Sequence, residues 1–145
     1  MNATAPLAQR GEDDVALIEQ SLDIAAERCE DLTPLVYERF FIRRPDARPY
    51  FEMHDLDPRS HGRMLAEILV LLLDTARHER YVGPTLKTMV SDHESYGVLD
   101  RSFYAAFLEA LEEVMAGLVA REWTPAMAAA FGRQRAALLD TLGSR

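Results

Sequence analysis

The stretch M-V-S-D-H-E-S-Y-G-V, residues 89–98, contains a single histidine, His93, near the end of a predicted helix. The helix is expected to begin at Pro84 and to stop before Gly97, since glycine readily adopts the left-handed conformation that ends helices. Met89 precedes His93 by one helical turn, so its carbonyl is the expected acceptor for a ring N–H. Taken alone, a histidine between two acidic residues is most simply an exposed side chain.

The sequence on both sides of this stretch predicts an all-α domain. Residues 1–11 lack an apolar period and are expected to form a flexible tail, which leaves 12–145 as the domain. Residues 45–57 contain two prolines and are expected to form an irregular corner. Elsewhere apolar residues recur every three or four positions. The predicted helices are 12–29, 32–44, 57–78, 84–95, 100–120 and 124–142, three of them opened by Asp57-Pro58, Asp100 and Thr124-Pro125.

Composition excludes several classes of protein. The formal net charge of −8 disfavours nucleic acid and anionic membrane surfaces as partners. Cys29 is the only cysteine, so an intrachain disulfide, a Cys-rich zinc site and a Cys-ligated iron–sulfur cluster are all impossible. The N-terminus has no apolar segment typical of a signal peptide, and the longest apolar run, 68–73, is too short to cross a bilayer. A cytoplasmic location is expected.

Four residues stand at a characteristic spacing. Tyr37 lies on the second predicted helix, Phe51 follows after fourteen residues (51 − 37), and His61 after ten more (61 − 51). His93 follows His61 by 32 residues (93 − 61). This succession resembles the globin family, above all the single-domain globins of bacteria and the haem domain of flavohaemoglobins, from about residue 12 to 142. The resemblance implies a globin fold of about six to eight helices enclosing a haem pocket.

The resemblance also implies roles for these residues toward haem b. His93 is the expected proximal iron ligand, and Tyr37 is the expected hydrogen-bond donor to bound dioxygen. His61 occupies the distal position, where it could donate to the gas, bind the iron as a sixth ligand or act as a gate. The simpler alternatives are a core tyrosine at 37 and a surface histidine at 61.

Apolar residues at helical spacing supply the expected pocket walls. Such residues are more often plain core than cofactor contacts, but in a globin the haem fills the middle of the core. The candidate contacts are Phe51, Leu65, Leu86, Val90, Val98, Phe103 and Phe107.

Four departures from the flavohaemoglobin pattern concern reactivity, and one of them is His61 in place of the distal amide of those proteins. No reductase domain is expected after residue 142. Asp92 stands where those proteins have a lysine. Phe103 stands ten residues after His93, where they have a tyrosine that polarises the proximal histidine, and Tyr104 is one position out of register. These differences argue against rapid turnover with an attached electron donor.

The leading functional hypothesis is a haem-b globin that reversibly binds oxygen, nitric oxide and carbon monoxide. Its enzymatic variant is nitric oxide dioxygenation, with Tyr37 and His61 as catalytic residues and an external reductase as electron donor. A second hypothesis is a gas or redox sensor that acts through a partner protein, with a homodimer as one option. The third is a haem-free globin scaffold.

Overall fold

The computed structural model describes residues 7–53 and 58–143, and all regular secondary structure in these ranges is helical. Two short 3₁₀ segments, Pro45–Ala47 and Ala120–Glu122, follow the second and sixth α-helices. The α-helices in chain order are α1 (Leu7–Arg28), α2 (Thr33–Arg43), α3 (Arg48–Met53), α4 (Pro58–Ala76), α5 (Val82–Ser95), α6 (Ser102–Val119) and α7 (Pro125–Gly143).

The six long helices confirm the predicted ones, and the differences lie at their ends. α1 begins at Leu7, so residues 7–11 form its first turns instead of belonging to the expected tail. The corner after α2 is partly regular, since it contains a 3₁₀ turn and the six-residue α3. The predicted cap at Asp57 and residues 1–6 of the predicted tail lie outside the described residues.

Capping interactions at three helix ends match the expectation from sequence. Thr124 Oγ1 accepts a hydrogen bond from the Met127 backbone N–H at 3.1 Å, at the start of α7. The Asp100 carboxylate accepts from the Ser102 N–H at 3.0 Å, at the start of α6. Gly97, just after α5, has φ +91°, the left-handed conformation that its residue type permits.

Two groups of buried side chains hold the helices together. The larger is aliphatic and lies where α1, α4, α5, α6 and α7 converge; Ile18, Leu72 and Leu111 are almost inaccessible there. The smaller is aromatic and lies where α2 packs on α6, around Phe40 and Phe103. The aromatic group adjoins the cavity described below, so the α2–α6 contact positions much of its wall.

The junction after α6 contains backbone strain at Ala120. Its φ of 54° and ψ of −113° lie in a region that glycine adopts far more easily than alanine. We expect Ala120→Gly to raise the free energy of unfolding by about 1 kcal/mol, and the melting temperature by about 3 °C. Chemical denaturation measures this change. Ala116→Gly, inside α6, is the matched control and is expected to lose about 1 kcal/mol. Equal losses in the two variants would contradict the assignment of strain.

None of the described helices combines the length and apolar character needed to cross a membrane.

Candidate functional site

A cavity of about 550 Å³ lies among α2, α3, α4, α5 and α6. Most of its wall is apolar, with a few polar side chains. The lining residues are Tyr37, Phe40, Ala47, Tyr50, Phe51, Ser60, Arg63, Met64, Glu67, Ile68, Met89, Asp92, His93, Tyr96, Val98, Phe103, Tyr104 and Phe107. Six of the expected site residues are among them: Tyr37, Phe51, His93, Val98, Phe103 and Phe107.

His93 lies on the α5 side of the cavity with its ring orientation fixed. Its Nδ1 is 2.8 Å from the Met89 carbonyl oxygen, as the one-turn spacing predicted. A carbonyl only accepts, so Nδ1 donates its proton in this contact. In the neutral imidazole the lone pair is then on Nε2, the nitrogen that can bind a metal. The histidine is half-buried and not the fully exposed side chain that its acidic neighbours suggest.

Tyr104 is the aromatic residue that contacts the His93 ring. The two ring centroids are 5.7 Å apart and the planes meet at 80°. The phenolic oxygen is buried and finds no hydrogen-bond partner among the described residues. Burial raises the pKa of Tyr104 to about 12, and the nearby Glu94 adds to the effect, so the group is a neutral O–H.

Phe103 does not take that position beside the histidine. Its ring packs edge-on against Phe40 and Tyr50, at 6.3 Å and 5.8 Å, with the Arg44 guanidinium 4.3 Å from its centroid. One residue along a helix turns the side chain by about 100°, so Tyr104 and Phe103 point to different neighbours. The register count that sets Phe103 beside the proximal histidine is therefore wrong, since the Tyr104 ring lies there.

Tyr37 lines the cavity from α2 and stacks on His61 of α4. Their ring centroids are 4.4 Å apart with planes at 19°, and Phe51 meets both rings edge-on. Tyr37 is 4% exposed, and this burial raises its pKa well above the ordinary tyrosine value. The phenol stays protonated at neutral pH and can donate a hydrogen bond. His61 Nε2 is also buried, and the residue is not part of the cavity wall.

Three predicted wall residues belong to the aliphatic core instead. Leu65, Leu86 and Val90 are each at most 4% exposed and pack in the larger cluster. The cavity side of α4 consists of Ser60, Met64 and Ile68, with Arg63 and Glu67, at the i, i+4, i+8 spacing of one helix face. Leu65 is turned about 100° away from Met64. On α5, Met89 and Asp92 line the cavity, whereas Leu86 lies two turns before His93 and beyond the wall.

Polar side chains lie at the α4 and α5 edges of the cavity. The Arg63 guanidinium donates to Ser60 Oγ at 3.0 Å, and both residues line the cavity. Arg63 is exposed, so its charge is at the solvent side, where it can meet a carboxylate of a bound molecule. Glu67 and Asp92 are exposed lining residues of the opposite sign.

Comparison with known proteins points to one family. The sequence model of the family described as Globin matches residues 35–142, which include every described residue of the cavity wall. The chain is 26% identical to hemoglobin D subunit alpha of Aldabrachelys gigantea over 139 residues, 92% of this chain and 96% of that subunit. Identity and coverage are the same for hemoglobin subunit alpha-D of Chelonoidis niger. The narrower likeness to bacterial globins stays a prediction.

Proposed function

The chain belongs to the globin family, and from that premise we propose that it binds haem b through His93 and reversibly takes up oxygen and other diatomic gases. The observation that best supports this is the ring of His93 on an apolar cavity wall, with Nδ1 bonded to the Met89 carbonyl. That contact presents the Nε2 lone pair as a metal ligand. An experiment that tests the proposal is addition of haemin to the purified chain, with a one-to-one end point expected.

The lining residues fit this cofactor. Haem has a flat apolar ring and two carboxylates, and the cavity offers apolar walls with Arg63 at an exposed edge. The buried Tyr104 O–H, which has no partner among the described residues, is a donor that a bound group could satisfy. When bound, haem supplies an iron that coordinates diatomic gases. The protein contributes the imidazole of His93, an apolar wall that excludes water and the hydrogen-bond donor Tyr37.

Tyr37 is the residue we propose to stabilise bound oxygen. Its neutral O–H lies in an aromatic environment, and a hydrogen bond to a charged acceptor contributes about 1.5–3 kcal/mol. Tyr37→Phe is expected to speed oxygen dissociation by roughly 10–100-fold, measured by stopped-flow mixing of the oxygenated protein with an oxygen scavenger. The control is Tyr50→Phe, since Tyr50 also lines the cavity but packs on Phe103. Equal rates for wild type and Tyr37→Phe would contradict this role.

Tyr104→Phe is expected to have opposite effects on the stability of the haem-free chain and on the retention of haem. An unsatisfied buried hydroxyl costs about 1–3 kcal/mol, so removing it is expected to stabilise the haem-free chain by about 1 kcal/mol. Haem transfer to an acceptor apoprotein is expected to become about fivefold faster, because the complex loses a donor. Denaturation of the haem-free chain and the haem transfer rate test the two parts. A destabilised haem-free variant would show that the hydroxyl is already paired.

Nitric oxide dioxygenation is a second candidate function, and the Tyr104–His93 ring contact bears on it. One sequence argument against it was that Phe103 stands where flavohaemoglobins have a tyrosine near the proximal histidine, and the Tyr104 ring beside His93 weakens that argument. Each nitrate formed from oxygen and nitric oxide leaves the protein oxidised by one electron, so an external reductase must restore it. Mixing the oxygenated protein with nitric oxide should give one nitrate per chain; a yield well below one would exclude this function.

A further inference from the structure

The α4 face of the cavity contains a methionine, Met64, where the sequence predicted His61. Met64 lines the cavity, together with Ser60 and Ile68 on the same helical face, and His61 does not. We infer that Met64, and not His61, is the second axial ligand of the haem iron, opposite His93. This inference rests on the proposed haem site at His93 and adds the coordination state of its iron.

His61 is held away from the cavity by its aromatic neighbours. Its ring stacks on Tyr37 at 4.4 Å and meets the edge of Phe51 at 5.2 Å. Its Nε2 atom, the nitrogen a distal histidine would offer to iron, is buried in this arrangement. Binding the iron through His61 would separate it from both rings. Met64 already lines the cavity, so its thioether can turn toward a bound group without leaving an aromatic stack.

The described cavity wall includes two methionines, and only one of them lies on a different helix from His93. Met89 lies on α5 one turn before His93, and its carbonyl holds the histidine ring. The side chain of Met89 therefore shares the α5 wall with the proximal ligand. Met64 belongs to α4, a different helix that also lines the cavity. Unbranched and with several rotatable bonds, methionine adapts its sulfur position to a bound group.

Histidine–methionine coordination would change both the reduction potential of the iron and the rate of gas binding. The soft thioether favours ferrous iron, and the same ligand pair raises the reduction potential in cytochromes c. With Met64 on the iron, a gas would have to displace the sulfur, so its uptake would be limited by release of the thioether. Tyr37 would then be the residue that donates a hydrogen bond to the bound gas.

The test is made on the full chain loaded with haemin. Near-infrared magnetic circular dichroism of the ferric protein detects the charge-transfer band of thioether–iron coordination. Met64→Leu, which conserves volume, is expected to abolish the band, lower the reduction potential and speed carbon monoxide binding to the ferrous protein at least about tenfold. Met89→Leu is the matched control, since it removes the other thioether of the cavity. Met89→Leu and His61→Leu are both expected to retain the band.

The outcomes separate this inference from the proposed function. A wild-type protein that binds haemin through His93 but is five-coordinate would overturn the Met64 inference alone. A bis-histidine spectrum that disappears in His61→Leu would do the same and assign the sixth ligand to His61. Loss of the band in Met89→Leu instead of Met64→Leu would reverse the choice of sulfur. Failure of the wild-type chain to bind haemin at all would overturn the proposed function and this inference together.

Discussion

Replacing His93 with glycine is expected to lower the affinity for haemin by more than about a hundredfold. Hydrogen-bond partners of metal ligands already contribute about 10–100-fold to affinity, and here the ligand itself is removed. The ring is anchored by the Met89 carbonyl at 2.8 Å, and no neighbouring side chain of α5 can replace its nitrogen. Titration of haemin into the purified variant, followed at the Soret band, measures the change.

Free imidazole provides the second half of that experiment. It should enter the space left in His93→Gly and restore a histidine-type spectrum at millimolar concentrations. His78→Gly is the matched control, because His78 has φ 59°, where glycine is unstrained, and does not line the cavity. That variant should retain wild-type affinity. If His93→Gly bound haemin as tightly as wild type, another residue would be the iron ligand.

The largest expected effect on stability is at Gly11. This buried glycine of α1 lies against the end of α4, where an added Cβ would overlap the backbone carbonyl oxygen of Ala76. Backbone cannot move aside as a flexible side chain can, so the two helices must separate. We expect Gly11→Ala to lower the free energy of unfolding by about 3 kcal/mol and the melting temperature by about 10 °C.

A second glycine, Gly117, is the control that assigns the loss of stability in Gly11→Ala to the contact between α1 and α4. Gly117 is exposed within α6, and an added Cβ there meets no heavy atom within 4 Å among the described residues. Gly117→Ala is expected to stabilise the protein by about 0.5–1 kcal/mol, because alanine has the higher helix propensity. A Gly11→Ala variant as stable as Gly117→Ala would mean that α1 and α4 are not in close contact.

Most of the fold could be predicted from local patterns. The periods of three and four, the Thr124 cap and Gly97 identify helices whose ends the structure reproduces within a few residues. The start of α1 could not be predicted, because residues 1–11 show no apolar period and Gly11 has a low helix propensity. Arg10 and Gly11 are helical because α1 packs on α4 and α7, a tertiary contact that no local pattern reports.

Within the candidate site, contacts one helical turn apart follow from spacing, whereas the direction in which a side chain points depends on tertiary packing. His93 and its Met89 acceptor follow from one helical turn, and the structure confirms that contact. Tyr104 was missed because register counting placed Phe103 beside the histidine. A one-residue difference on α6 is about 100° of rotation, and only the packing of α6 on α2 fixes which aromatic ring meets His93.

The same limit explains the walls of the cavity. Leu65 and Met64 are both apolar and adjacent in sequence, so composition cannot tell which faces the core and which the cavity. In the structure Leu65 packs in the aliphatic core and Met64 lines the cavity. His61 was expected to face the cavity, but its ring packs against the aromatic rings of Tyr37 and Phe51. Such competition between two environments depends on tertiary structure.

The most direct test of the central claim is the absorption spectrum of the purified chain after one equivalent of haemin, then after reduction with dithionite, then under carbon monoxide. The account predicts a stoichiometric Soret band that shifts on reduction and again with carbon monoxide. The absence of any band beyond that of free haemin would contradict haem binding at His93 and would leave the globin fold as a scaffold without a gas ligand.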